Sequence, residues 1–246
     1  MLADYVVRGA KAGLVAGLLF ALFVALVANP LVAAADGDGH AADHQDASEH
    51  DESVVSGAVT SAVSVGASVL WGLLLGVVVF GVGDYFLEPI VPGSGAVQSY
   101  LLAAGGFVTV SGAPWLLLPP TVPGVERAIP TQTGMVLYAG MVVAGAICCL
   151  LSALSYDRLR DRWDRSRAAA AALTPLAVLA VPAALSPFEL ATGSLPPALA
   201  SGVLGTVVFG QLLCWLALAA THARLDPVVD DGLESQTSTT DPVAAD

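Results

Sequence analysis

Of the 246 residues, 56% are hydrophobic and only 12% are charged, whereas an ordinary soluble domain carries about a quarter charged residues. The net charge of −12, from 21 acidic and 9 basic residues with Lys11 the single lysine, excludes a nucleic-acid-binding surface, because phosphates require clustered basic side chains. The same acid excess resembles that of halophile proteins, which tolerate their self-repulsion in high salt.

Six stretches contain no Asp, Glu, Lys or Arg: 12–35, 54–82, 96–118, 132–156, 168–185 and 195–221. A hydrocarbon core of about 30 Å is crossed by about 20 apolar residues in helix. The expected fold is therefore all-α, a polytopic membrane helix bundle of about six transmembrane helices. A short cytoplasmic segment (1–11) precedes it, and an acidic tail (222–246), too polar to bury a core, follows it.

In the first span, Gly9, Gly13 and Gly17 recur every four residues, a small-xxx-small ridge suited to close helix packing. Arg8 and Lys11 before it and Ala33, Ala34 and Ala35 after it also resemble a signal peptide with its cleavage site. The apolar run is longer than the usual core of about 7–15 residues, so retention of the span is expected.

The loop over 36–53 contains DGDGHAADHQDASEHDE and three of the four histidines. Imidazole with carboxylate suits divalent transition metals, which makes His40, His44, His50, Asp43, Asp46 and Glu49 candidate ligands. Their spacing matches no closed zinc pattern. A flexible metal-capturing loop and a merely solvated acidic loop are the two readings left open.

Along the second span, Gly57, Ser61, Ser64, Ser68, Gly72 and Gly76 form one stripe of small residues. It serves either close helix packing or a narrow polar path, in which hydroxyls replace part of an ion's hydration shell. Ser61, Ser64 and Ser68 are the path-lining candidates.

Between the third and fourth spans, Pro114, Pro119, Pro120, Pro123 and Pro130 interrupt regular helix, as in a rigid external vestibule. Gln98, Gln132 and Gln211 lie in or at the ends of spans, where an amide seeks an interhelical partner; Gln132 joins the path candidates. Cys148, Cys149 and Cys214 fall in apolar stretches and read as small packing residues.

The fifth stretch is short and carries Pro175 and Pro182, which kink a helix, so it either spans or re-enters. Arg158, Arg160, Arg162, Arg165 and Arg167 precede it, and Arg224 follows the sixth span. With six spans and both termini cytoplasmic, only Arg127 among the basic residues lies outside, in agreement with the positive-inside rule. His222 is either an interfacial residue or a ligand at a cytoplasmic exit.

No Ser-His-Asp set, HExxH or glycine-rich phosphate loop is present, so neither enzymatic activity nor a tightly bound cofactor is expected.

The segments GAKAGLVAGLLFALFVALVANPL (9–31), GGFVTVSGAPWLLLPPTVPG (105–124) and TGMVLYAGMVVAGAICCLLSAL (133–154) resemble the CbtA family, the probable cobalt transporter subunits. The resemblance runs through most of the chain up to Thr221. It implies a multi-pass subunit of a Co2+ uptake system in the cell membrane, linked to cobalamin synthesis. It also implies a small single-span CbtB partner with metal-binding histidines. The rival reading is a non-conducting scaffold or metal-sensing subunit of a larger complex.

Overall fold

The computed structural model describes residues 1–34, 57–121, 129–185 and 197–226. Five helices are long and apolar enough to cross a membrane: α1 (Leu2–Ala34), α2 (Val59–Leu87), α3 (Ala96–Leu117), α4 (Thr131–Leu159) and α8 (Pro197–Arg224). Between α4 and α8 lie three short helices, α5 (Arg165–Ala172), α6 (Thr174–Ala177) and α7 (Ala180–Leu185).

The surface identifies the solvent. Leu26, Val63, Leu70, Met135 and Val136 are each about two-thirds exposed, a distribution that water would penalise and hydrocarbon accepts. Within the bundle, helices then associate through close contact and hydrogen bonds rather than through apolar burial.

The glycine ridge supplies that contact. A Cβ on Gly13 would stand 2.6 Å from the Gly72 carbonyl oxygen, and one on Gly17 would stand 2.7 Å from that of Val69. Gly9 meets Gly76 and Gly81 in the same way, so α1 and α2 run antiparallel with backbones touching. Gly72 and Gly76 of the second-span stripe are thus a packing seam, and α1 carries the complementary ridge.

Two larger apolar cores follow among the described residues. One gathers Ala16, Leu75, Phe80, Leu102, Trp215 and Leu218 from α1, α2, α3 and α8, and Gly106 leaves room for the Trp215 ring. The other joins Ala113, Leu117, Met141, Cys148 and Leu179, tying the second half of α3 to α4 and to the segment after α6. All three cysteines are free thiols, with Cys148 and Cys214 buried among apolar neighbours.

The fifth expected span is not one helix. Pro175 lacks an N–H and sits in the first turn of α6, and Pro182 falls within α7, so the ladder breaks into pieces. The segment nevertheless runs from one end of the bundle to the other. Tyr138 donates to the Val110 carbonyl and Cys149 to that of Gly105, so α4 is antiparallel to α3 and ends where α3 begins. Leu179 then packs with Leu117 and Leu118 at the opposite end of α3. Because Ala200 and Val203 of α8 pack with Leu31 of α1, α8 starts at that far end. Among the described residues the chain thus passes between the two ends six times, five times as a single helix and once in three pieces.

Helix limits also differ from the apolar stretches. The first helix begins at Leu2 and so carries Arg8 and Lys11, and the second continues past Val82 to Leu87 and so carries Asp84. Hydropathy stops at the first charge, whereas backbone hydrogen bonding does not. Three segments within these helices are π-helical, Val24–Ala28, Gly76–Gly83 and Val108–Gly112; such widened turns are frequent at functional sites, and the second leads directly into Asp84.

Candidate functional site

The charges carried by α1 and α2 are not solvated. The glycine contact of Gly9 with Gly76 and Gly81 draws the neighbouring Arg8 against the last turn of α2. There its Nη2 donates to Asp84 Oδ2 at 2.9 Å, and Asp84 is only 5% exposed. An uncompensated ion at such a place costs several kcal/mol, so each charge depends on the other.

Two more helices close the cluster. Arg8 Nε donates to His222 Nε2 of α8 at 2.8 Å. Arginine has no lone pair to offer, so Nε2 accepts and Nδ1 carries the imidazole proton. That Nδ1 lies 2.9 Å from Ser99 Oγ of α3, and Ser99 Oγ donates in turn to the Gly95 carbonyl at 3.4 Å. Gly95 precedes α3 with φ of 55°, a conformation natural to glycine. Phe80 packs on the imidazole with ring centres 4.9 Å apart. His222 and Ser99 are 1% and 2% exposed.

Around this buried centre lies an outer rim. Asp226 Oδ1 is 3.6 Å from Arg8 Nη1, Tyr5 donates its hydroxyl to Glu88 at 2.5 Å, and the Arg8 guanidinium lies 5.7 Å from the centre of the Tyr5 ring. Arg158 lies in the last turn of α4, Arg160 and Arg162 follow it, and Arg165 and Arg167 lie in the first turn of α5, so the cluster lies at the basic end of the bundle.

A smaller polar group lies at the other end. Asn29 Nδ2 donates to Ser61 Oγ at 2.7 Å, and Ser64 Oγ donates to Asn29 Oδ1 at 3.1 Å. Ser68 Oγ donates to the Ser64 carbonyl of its own helix. Ser61 and Ser64 are therefore brought together with Asn29, while His222 is at the opposite end and Gln132 is exposed at the start of α4. Gln211 Oε1 accepts from Ser111 Oγ at 3.4 Å, and Gln98 Nε2 donates to the Glu88 carbonyl at 3.2 Å, so these two amides link helices.

The metal-ligand candidates His40, His44, His50, Asp43, Asp46 and Glu49 lie outside the described residues. Among the described residues, no three His, Cys, Asp or Glu side chains are grouped to hold a metal ion. What the sequence reading did not name is Arg8, Asp84 and Ser99 as companions of His222. A signal was present: Arg8 and Asp84 both border apolar runs on the side that the six-span topology makes common to them.

The family model described as probable cobalt transporter subunit (CbtA) matches residues 2–226. No curated protein and no solved structure matches the chain.

Proposed function

The chain belongs to the CbtA family, the probable cobalt transporter subunits, and from that premise we propose that it carries Co2+ into the cell, in the service of cobalamin synthesis. The observation that carries this reading is the buried arginine, carboxylate and imidazole cluster on α1, α2 and α8. Ionisable groups inside a membrane bundle are costly, and they mark paths for ions.

In this reading both termini are cytoplasmic and the basic end is the inner end. The loop with His40, His44 and His50 collects scarce metal outside, and a small single-span CbtB-like subunit with histidines of its own supplies further ligands. The driving force is adequate without ATP. One charge moved through 100 mV gains about 2.3 kcal/mol, so a divalent ion gains about 4.6, or about three powers of ten in accumulation.

The test is Co2+ entry into liposomes bearing the purified chain, alone and with the single-span partner, under an imposed inside-negative potential. Uptake that rises with the potential is expected. Absence of uptake in both preparations would leave a non-conducting scaffold.

A further inference from the structure

We infer that the Arg8 guanidinium occupies the place of a divalent transition-metal ion, and that Asp84 and His222 become that ion's carboxylate and imidazole ligands when Arg8 swings out. The inference deepens the transport reading and rests on it for the identity of the metal. The site itself rests on geometry.

Asp84 Oδ2 and His222 Nε2 are 3.5 Å apart. Two ligand atoms bound at about 2.1 Å with a tetrahedral angle between them are separated by about 3.4 Å. The two atoms therefore already stand at a metal's bite distance, and what lies against both is a cation. Arg8 Nη2 meets the carboxylate at 2.9 Å and Arg8 Nε meets the imidazole at 2.8 Å.

The imidazole is also prepared as a metal ligand. Its Nε2 lone pair faces the site while Nδ1 is held by Ser99 Oγ at 2.9 Å, the outer hydrogen bond that metal-binding histidines use to fix tautomer and ring orientation. Both ligands are more than nine-tenths buried, whereas Arg8 is 19% exposed and so lies on the outer side of the cluster. Arg8 has somewhere to go: Asp226 Oδ1 is 3.6 Å from its Nη1, and the Tyr5 ring with its Glu88 partner borders it.

Only two protein ligands then hold the ion, and water completes the shell. Such a site binds weakly, which suits a place that an ion must leave. While Arg8 is in place the apparent affinity is lowered by the fraction of time the site is open.

The experiment measures binding by the full chain in lipid nanodiscs, with Co2+ alone as the probe. The background carries His40→Ala, His44→Ala and His50→Ala, so that His222 is the sole imidazole of the four. Arg8→Gln, which stays polar but removes the charge and the guanidinium, should raise Co2+ affinity about tenfold or more. The gain should vanish on adding His222→Ala or Asp84→Asn. No gain in folded Arg8→Gln protein, or a gain that survives the loss of His222, overturns the inference.

Should Arg8→Gln fail to fold, the background chain with Arg8 intact still decides. Paramagnetic Co2+ at millimolar concentration should broaden the His222 imidazole proton signals while Mg2+ does not, and unaltered signals overturn the inference. Because binding is read without transport, a chain that binds at this site yet conducts nothing would refute the transport reading alone.

Discussion

The same substitution at two glycines of α2 should have opposite effects. A Cβ on Gly72 would overlap the Gly17 Cα, lie 2.5 Å from the Gly17 nitrogen and lie 2.9 Å from the Gly13 carbonyl oxygen. All three are backbone atoms, so nothing can rotate aside and α1 must retreat. Overpacking of this kind costs about 1–3 kcal/mol, and a gap of about 0.5–1 Å along the remaining seam forfeits a quarter to a half of each dispersion contact. Alanine's better helix propensity returns about 1 kcal/mol, leaving Gly72→Ala less stable by about 1–2 kcal/mol. Gly66, on the same helix, has nothing within 4 Å of its would-be Cβ, so Gly66→Ala keeps the propensity gain and should be neutral or up to about 1 kcal/mol more stable. The assay is reversible unfolding in mixed micelles at rising SDS fraction, followed by far-UV circular dichroism, with Trp71 beside the seam as a fluorescent reporter. Equal midpoints for the two variants would refute the claim that backbone contact holds α1 to α2.

The buried pair makes a second case. Arg8→Met should cost about 3–5 kcal/mol because it leaves Asp84, the more deeply buried partner, without its cation, whereas the double change Arg8→Met with Asp84→Leu should recover most of that loss; the same SDS titration, run as a double-mutant cycle, reads the coupling. In the outer loop, replacing His40, His44 and His50 together by Ala should slow Co2+ uptake when metal is scarce and leave the saturated rate unchanged. Protons compete with metal for imidazole, so capture by the parent loop should weaken on acidification; a triple variant as fast as the parent at low Co2+ would reduce the loop to solvated acid.

The bundle was legible in the sequence because lipid demands long uninterrupted apolar helices, and such runs announce themselves. Pro175 and Pro182 likewise announced the interruption of the fifth segment, though not that its pieces would still carry the chain from the basic end to the far end. The limits of α1 and α2 were not legible, since Arg8 and Asp84 end a hydropathy run without ending a helix. For the same reason the site was half read. His222 was named, but its partners lie on three other helices, and pairing across such sequence distances is a tertiary property. Arg8 in particular served as a sign of topology, which left its side chain's destination open.

The two kinds of contact also say where the bundle can yield. The seam of Gly9, Gly13 and Gly17 on α2 is backbone against backbone, and Asn29 with Ser61 and Ser64 joins the same two helices at the far end. Sliding or parting α1 and α2 would break both, so they move as one body. Serine 99 and His222 bond α3 to α8 at the basic end, and the Trp215 ring lies against Gly106 deeper in the same pair, so these helices are joined by side chains that can repack. Between the two pairs, the polar links at the basic end include Arg8 to His222, the ion pair of Arg8 with Asp226, the approach of His222 to Asp84, and the exposed Gln98 to the Glu88 carbonyl. Apolar contact joins them as well, as where Phe20 and Phe23 lie against Gly210. An opening that preserves the glycine seam would therefore run between these pairs, and it would have to release the contacts of Arg8 with His222 and Asp226 and of Asp84 with His222. An ion held by Asp84 and His222 would link the two pairs across the same gap, so occupancy of the inner site would oppose their separation and the ion would have to leave before they part.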